Sequence, residues 1–109
     1  MQLSTAVYRV TKEFPREELY GLTSQLRRAS VSIISNIAEG HGRSSSAQLQ
    51  HFLSMARGST FEVEAQLLLA KELGFGAAEE IVHCESLCDE VSWMLHSMLR
   101  SLRNDSVRS

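Results

Sequence analysis

Residues 19–40 read Leu19-Tyr20-Gly21-Leu22-Thr23-Ser24-Gln25-Leu26-Arg27-Arg28-Ala29-Ser30-Val31-Ser32-Ile33-Ile34-Ser35-Asn36-Ile37-Ala38-Glu39-Gly40. Leu19, Leu22, Leu26, Ala29, Ile33, Asn36 and Gly40 recur in this stretch at alternating intervals of three and four. That period is the seam of a helix packed against other helices, and no part of the chain offers the strict alternation of a half-buried strand. Pro15 suits the opening of this helix. Glu17 and Glu18 fall in its first turn, where carboxylates meet the positive end of the helix dipole, and Gly40-His41-Gly42 closes it.

The same period continues on both sides. Upstream, residues 3–13 form a short helix with Val7, Val10 and Phe14 on one side, stopped by Pro15, which disfavours helix in the residue before it. Downstream, Ser44, Ser45 and Ser46 are N-cap candidates for a third helix, and Ser45 with Gln48 reads as a capping box. Leu49, Phe52, Ala56, Ser59, Val63, Leu67 and Ala70 form its seam up to Gly74-Phe75-Gly76. A fourth helix runs from about Ala77 to Arg103 with Ile81, Cys84, Cys88, Val91, Leu95, Met98 and Leu102 inward, before a polar tail, Asn104 to Ser109, expected to fray. Short links force neighbouring helices to run antiparallel. The expected fold is therefore all-α: a single domain over residues 1–109, an up-down-up-down four-helix bundle with a short first helix. One short helix against three long ones leaves apolar seam uncovered, which points to oligomer contacts.

Composition agrees with one modest globular core: 109 residues, 43% hydrophobic, one Pro and six Gly. The net charge of −2 excludes the uniformly basic profile of a dedicated nucleic-acid binder, though not a local basic patch. The longest apolar run, Leu67 to Ala70, is far too short to span a membrane, and Met1-Gln2-Leu3-Ser4-Thr5 carries no secretory signal, so a soluble cytoplasmic protein is expected. Cys84 and Cys88, four apart on a helix, read as reduced core thiols.

Between Phe14 and Glu62 the residues become specific. Phe14-Pro15-Arg16-Glu17-Glu18, Gly21-Leu22-Thr23-Ser24-Gln25-Leu26-Arg27-Arg28-Ala29, Ser32-Ile33 and Asn36-Ile37-Ala38-Glu39-Gly40 lead to Arg43, then Phe52-Leu53, Ala56-Arg57-Gly58-Ser59 and Glu62. This series resembles the bacterial four-helix-bundle proteins encoded in intervening sequences of large-subunit ribosomal RNA genes. The resemblance covers nearly the whole chain, the fourth helix by pattern more than by identity. It implies a bundle whose relatives assemble as ring-shaped homopentamers. It also implies kinship with the accessory protein of diversity-generating retroelements, a basic pentamer that binds a reverse transcriptase and nucleic acid. Two departures stand out: the net charge is −2, and the family's first helix usually begins upstream of the position matching Val7, so this chain is expected to be clipped or started late.

Charge is unevenly placed. From Ser24 to Thr60, Arg27, Arg28, Arg43 and Arg57 stand against Glu39 alone, whereas from Phe61 to Glu90 eight acids face only Lys71. The four arginines are candidates for contacting RNA phosphates or a nucleic-acid-processing partner, because guanidinium forks fit phosphate and carboxylate geometry. Structural ion pairing, within the chain or head to tail between subunits, competes with that reading and explains many such clusters. No aromatic interleaving is evident that would support base stacking.

Asn36 falls at a seam position, Ser32 precedes it by four and Glu39 follows by three, while Ser59 and Glu62 form a second polar patch on the third helix. A hydrogen-bonded network of these five across helices two and three is expected, with Asn36 fixing register. Gly58, in mid-helix, suggests close approach of another backbone. Catalytic chemistry is thin. Glu80-Ile81-Val82-His83 has the spacing of bundle di-iron sites but no second copy, and adjacent His83 and Cys84 diverge by about 100° on a helix, so no metal, cofactor or catalytic residue is assigned.

Overall fold

The computed structural model describes residues 2–108; Met1 and Ser109, the ends of the leader and tail readings, lie outside them. Four α-helices follow one another, α1 Gln2–Thr11, α2 Ser24–His41, α3 Ser46–Leu73 and α4 Ala78–Arg108, with no strand among the described residues. Side-chain bonds fix their directions. Ser4 Oγ donates to the Ser30 carbonyl while Arg27 Nε donates to Thr11 Oγ1, so α1 and α2 are antiparallel. Ser32 meets Ser59 while Gly40 lies against Leu49 and Phe52, which gives the same sense to α2 and α3. Glu64 meets Ser92 and Lys71 meets Glu85, which reverses α4 against α3.

The core is continuous through all four helices: Leu3, Val7 and Val10 of α1, Leu26 and Ile33 of α2, Leu53, Val63 and Leu67 of α3, and Ile81 and Leu95 of α4 are fully buried. Helix lengths decide the shape around it. At 1.5 Å per residue α1 is about 15 Å long and α3 and α4 exceed about 40 Å, within a molecule 51 Å long. Gln2 lies level with Leu87, Val91 and Met94 of α4. Beyond that level α2, α3 and α4 continue as a three-helix body.

The connectors differ from a simple reading of the chain. Pro15, extended at φ −56° and ψ 144°, ends the α1 turn and opens a 3₁₀ turn over Arg16–Glu18. A π-helical turn over Leu19–Thr23 follows, kinked at Gly21, and regular helix begins only at Ser24. The expected second helix from Pro15 is thus broken by an extra-wide turn. That turn changes the phase: Leu22 and Thr23 go inward, but Leu19, placed on the seam by its spacing, is 48% exposed.

The other ends obey local chemistry. Ser45 Oγ accepts from the Gln48 N–H at 3.1 Å and caps α3. At its other end Gly74 takes φ 74°, with Gly74 N–H bonded to the Lys71 carbonyl and Phe75 N–H to the Ala70 carbonyl, a Schellman cap. Gly76 is also left-handed, at φ 76°, and a Cβ there would lie 2.9 Å from Val10 Cγ2. Two expectations need correction. A Cβ on Gly58 would meet nothing within 4 Å, so the close approach expected there does not occur within the chain; it occurs at Gly40, where a Cβ would sit 3.1 Å from Leu49 and Phe52. The fourth helix does not end near Arg103, because α4 continues to Arg108.

Candidate functional site

The four arginines project from α2 and α3, but they do not form one patch. Arg28 and Arg43 are fifteen residues apart along α2 and its end, or about 22 Å of rise. The Ser32–Ser59 register puts Arg57 between them, near the level of Ile34. Their surroundings also differ. Arg27 is half-buried: its Nε donates to Thr11 Oγ1 at 2.9 Å and its guanidinium carbon lies 4.8 Å from the Tyr8 ring centroid, so it ties α1 to α2. Arg43 pairs with Glu39 one turn back and lies 5.1 Å from the Phe52 ring centroid. Arg57 is half-buried and Arg28 exposed, and neither has a hydrogen bond or ion pair among the described residues. Aromatic rings therefore do accompany these arginines, contrary to the expectation from sequence, because Tyr8 comes from α1 and Phe52 from the next helix.

The polar network forms in part. Asn36 Nδ2 donates to the Ser32 carbonyl at 2.9 Å and to Ser32 Oγ at 3.1 Å, and Ser32 Oγ lies 2.9 Å from Ser59 Oγ. The link between helices is thus Ser32–Ser59, while Asn36 bonds within α2 and orients Ser32. Glu39 is drawn to Arg43, and Glu62 is exposed with no partner among the described residues. The residues that tie α3 to α4, Glu64 with Ser92 at 2.9 Å and Lys71 with Glu85 at 3.2 Å, are not on either seam. Their flanking positions were the available signal.

Cys84 and Cys88 are free and fully buried. Burial first, and then the carboxylates of Glu80 and Glu85, push the Cys84 thiol up to about 11; burial and Glu64 push Cys88 up to about 12. Both are held protonated at neutral pH, which does not suit a nucleophile. His83 is exposed on the other side of α4, beside Gln2, Thr5 and Arg9. Among the described residues no three His, Cys, Asp or Glu side chains converge on a metal position, and no helix is long and apolar enough to cross a membrane.

The outer surface of α3 is the most unusual feature. Phe61, Leu68, Leu69 and Leu73 face outward, Phe61 with 55% of its surface exposed. Val82 and Trp93 of α4 are also exposed, Trp93 at 73%. The Glu64–Ser92 register brings Trp93 level with Val63, two residues along α3 from Phe61. The described residues define a class, the all-α four-helix bundles. More particularly, the chain belongs to the 23S rRNA-intervening sequence protein family, whose model matches residues 1–97. No curated protein matches it.

Proposed function

We propose that this protein is a non-enzymatic cytoplasmic platform that assembles into a homo-oligomer and binds RNA. Assembly rests on the exposed apolar face of α3 and α4, from Phe61 through Leu68 to Val82 and Trp93. Solvent-facing apolar area of this kind on a small subunit is covered in the functional state. Acidic Glu72, Glu79 and Asp89 lie in these same outer stretches, while Arg9 of α1 and Arg27 and Arg28 of α2 lie on the other helices, although Arg57 and Lys71 of α3 and Arg100 and Arg103 of α4 are also basic. A head-to-tail contact joins unlike surfaces, and such a contact closes into a ring when its rotation permits. A pentamer is the ring that the resemblance implies.

Repetition around a ring multiplies exposed Arg28 and half-buried Arg57, so an acidic subunit presents a basic band. Filter binding of a structured RNA at two salt concentrations tests the ligand. Affinity should fall steeply with salt, because each neutralised phosphate releases counterions, and Arg28→Glu with Arg43→Glu should weaken it. No affinity at low salt, or equal binding by the double variant, overturns the RNA reading. An assembly with no nucleic-acid ligand is the second reading. The internal engagement of Arg43 with Glu39 favours it.

A further inference from the structure

The π-helical turn leaves a specific surface at the corner of α1 and α2. Tyr20 is 93% exposed, and Leu19 beside it is exposed as well, although both precede a buried Leu22. Around them lie two shallow concavities. One is lined by Tyr8, Leu19, Tyr20, Ser24, Arg27 and Arg28; the other includes Lys12 and Arg16, and the two share Leu19 and Arg27. They therefore form one continuous surface with four cationic side chains and no carboxylate in its lining. Nearby Glu18 is already engaged, its Oε1 accepting from the Leu22 N–H at 3.3 Å.

We propose that this corner is a contact site for single-stranded RNA, an inference that rests on the RNA reading above and names where that RNA is held. Tyr20 offers both ring faces to solvent for a base to stack on. Arg27, anchored over Tyr8, is a second planar platform, since bases stack on guanidinium planes as well as on rings. Arg28, Lys12 and Arg16 flank these platforms and meet phosphates. Aromatic faces interleaved with cations are the general recipe for binding single strands, and stacking needs no particular base. Duplex RNA hides its base faces and gains only the phosphate contacts. A protein partner would also use tyrosine and arginine, but the carboxylate-free lining favours a polyanion.

Fluorescence anisotropy with a labelled 12-nucleotide single-stranded RNA, and with its duplex, tests the site. Tyr20→Ala should weaken single-strand binding by about 5- to 100-fold and Tyr20→Phe should restore it, with duplex binding nearly unchanged. Arg28→Ala should lower the slope of log affinity against log salt by about 0.7, as expected for one lost phosphate on a single strand. Tyr20 is solvent-exposed, so the variants should keep the wild-type helical circular dichroism. If wild type binds and Tyr20→Ala binds equally well, the corner is not the site and the RNA platform stands. If Tyr20→Phe loses as much as Tyr20→Ala, stacking is wrong. If wild type binds neither RNA, the RNA reading and this site fail together.

Discussion

Three glycines in three environments give a graded prediction for stability. Gly76→Ala introduces a Cβ at φ 76°, which costs about 1–2 kcal/mol for the left-handed conformation. The same Cβ would lie 2.9 Å from Val10 Cγ2 and 3.0 Å from Phe14, and neither neighbour is the free end of a flexible chain. Overpacking of that kind adds about 1–3 kcal/mol, for a total of about 2–5 kcal/mol. Gly74→Ala carries the same backbone cost at φ 74° but meets nothing within 4 Å, so it should cost about 1–2 kcal/mol. Gly58→Ala lies in regular helix with open space around it and should stabilise by about 0.5–1 kcal/mol. A chain of 109 residues loses about 4 °C of Tm per kcal/mol. The expected changes in Tm are therefore a fall of about 8–20 °C, a fall of about 4–8 °C and a rise of about 2–4 °C. Thermal unfolding followed at 222 nm, at one fixed protein concentration because assembly contributes to Tm, measures all three. A Gly76→Ala variant no less stable than Gly74→Ala would refute the packing of α1 against the α3–α4 turn.

Other consequences follow from individual contacts. Ser59→Ala removes the Ser32–Ser59 bond and should cost about 0.5–1.5 kcal/mol in urea unfolding, whereas Asn36→Leu leaves the crossing bond in place and should change the oligomer distribution little. Arg27→Ala loses a part-buried bond and a ring contact and should destabilise by about 1–2 kcal/mol. The Arg43–Glu39 pair is exposed, so Arg43→Ala should cost less than about 1 kcal/mol. The folded thiol pKa values of about 11 and about 12 lie above the ordinary 9.0, so the unfolded chain ionises first as pH rises. Stability should be insensitive to these thiols below about pH 9 and decline from there toward pH 12, which pH-dependent chemical unfolding of wild type against Cys84→Ala and Cys88→Ala would measure.

The sequence revealed what local periodicity controls and missed what tertiary contact controls. Leu26, Ala29 and Ile33 were legible because α2 is regular from Ser24 onward, and Leu19 was not because the wide turn over Leu19–Thr23 resets the phase. Leu53, Thr60, Leu87 and Leu99 are buried beside the seams, since a bundle helix buries a stripe broader than two positions per heptad. The motif arginines were visible, but their partners were not. Tyr8 lies nineteen residues before Arg27, and only the reversal of α1 against α2 brings the ring under the guanidinium. Gly58 was misread for a related reason: its residue type signals tight packing or open surface equally, and the open face of α3 decides between them.

The apolar face of α3 and α4 should be covered by another copy of the chain. Multi-angle light scattering of the wild-type protein should give a mass near five times 12.2 kDa, and Leu68→Glu, at an exposed position of that face, should shift it toward a single subunit with helicity intact. A wild-type mass of one subunit at every concentration would contradict it.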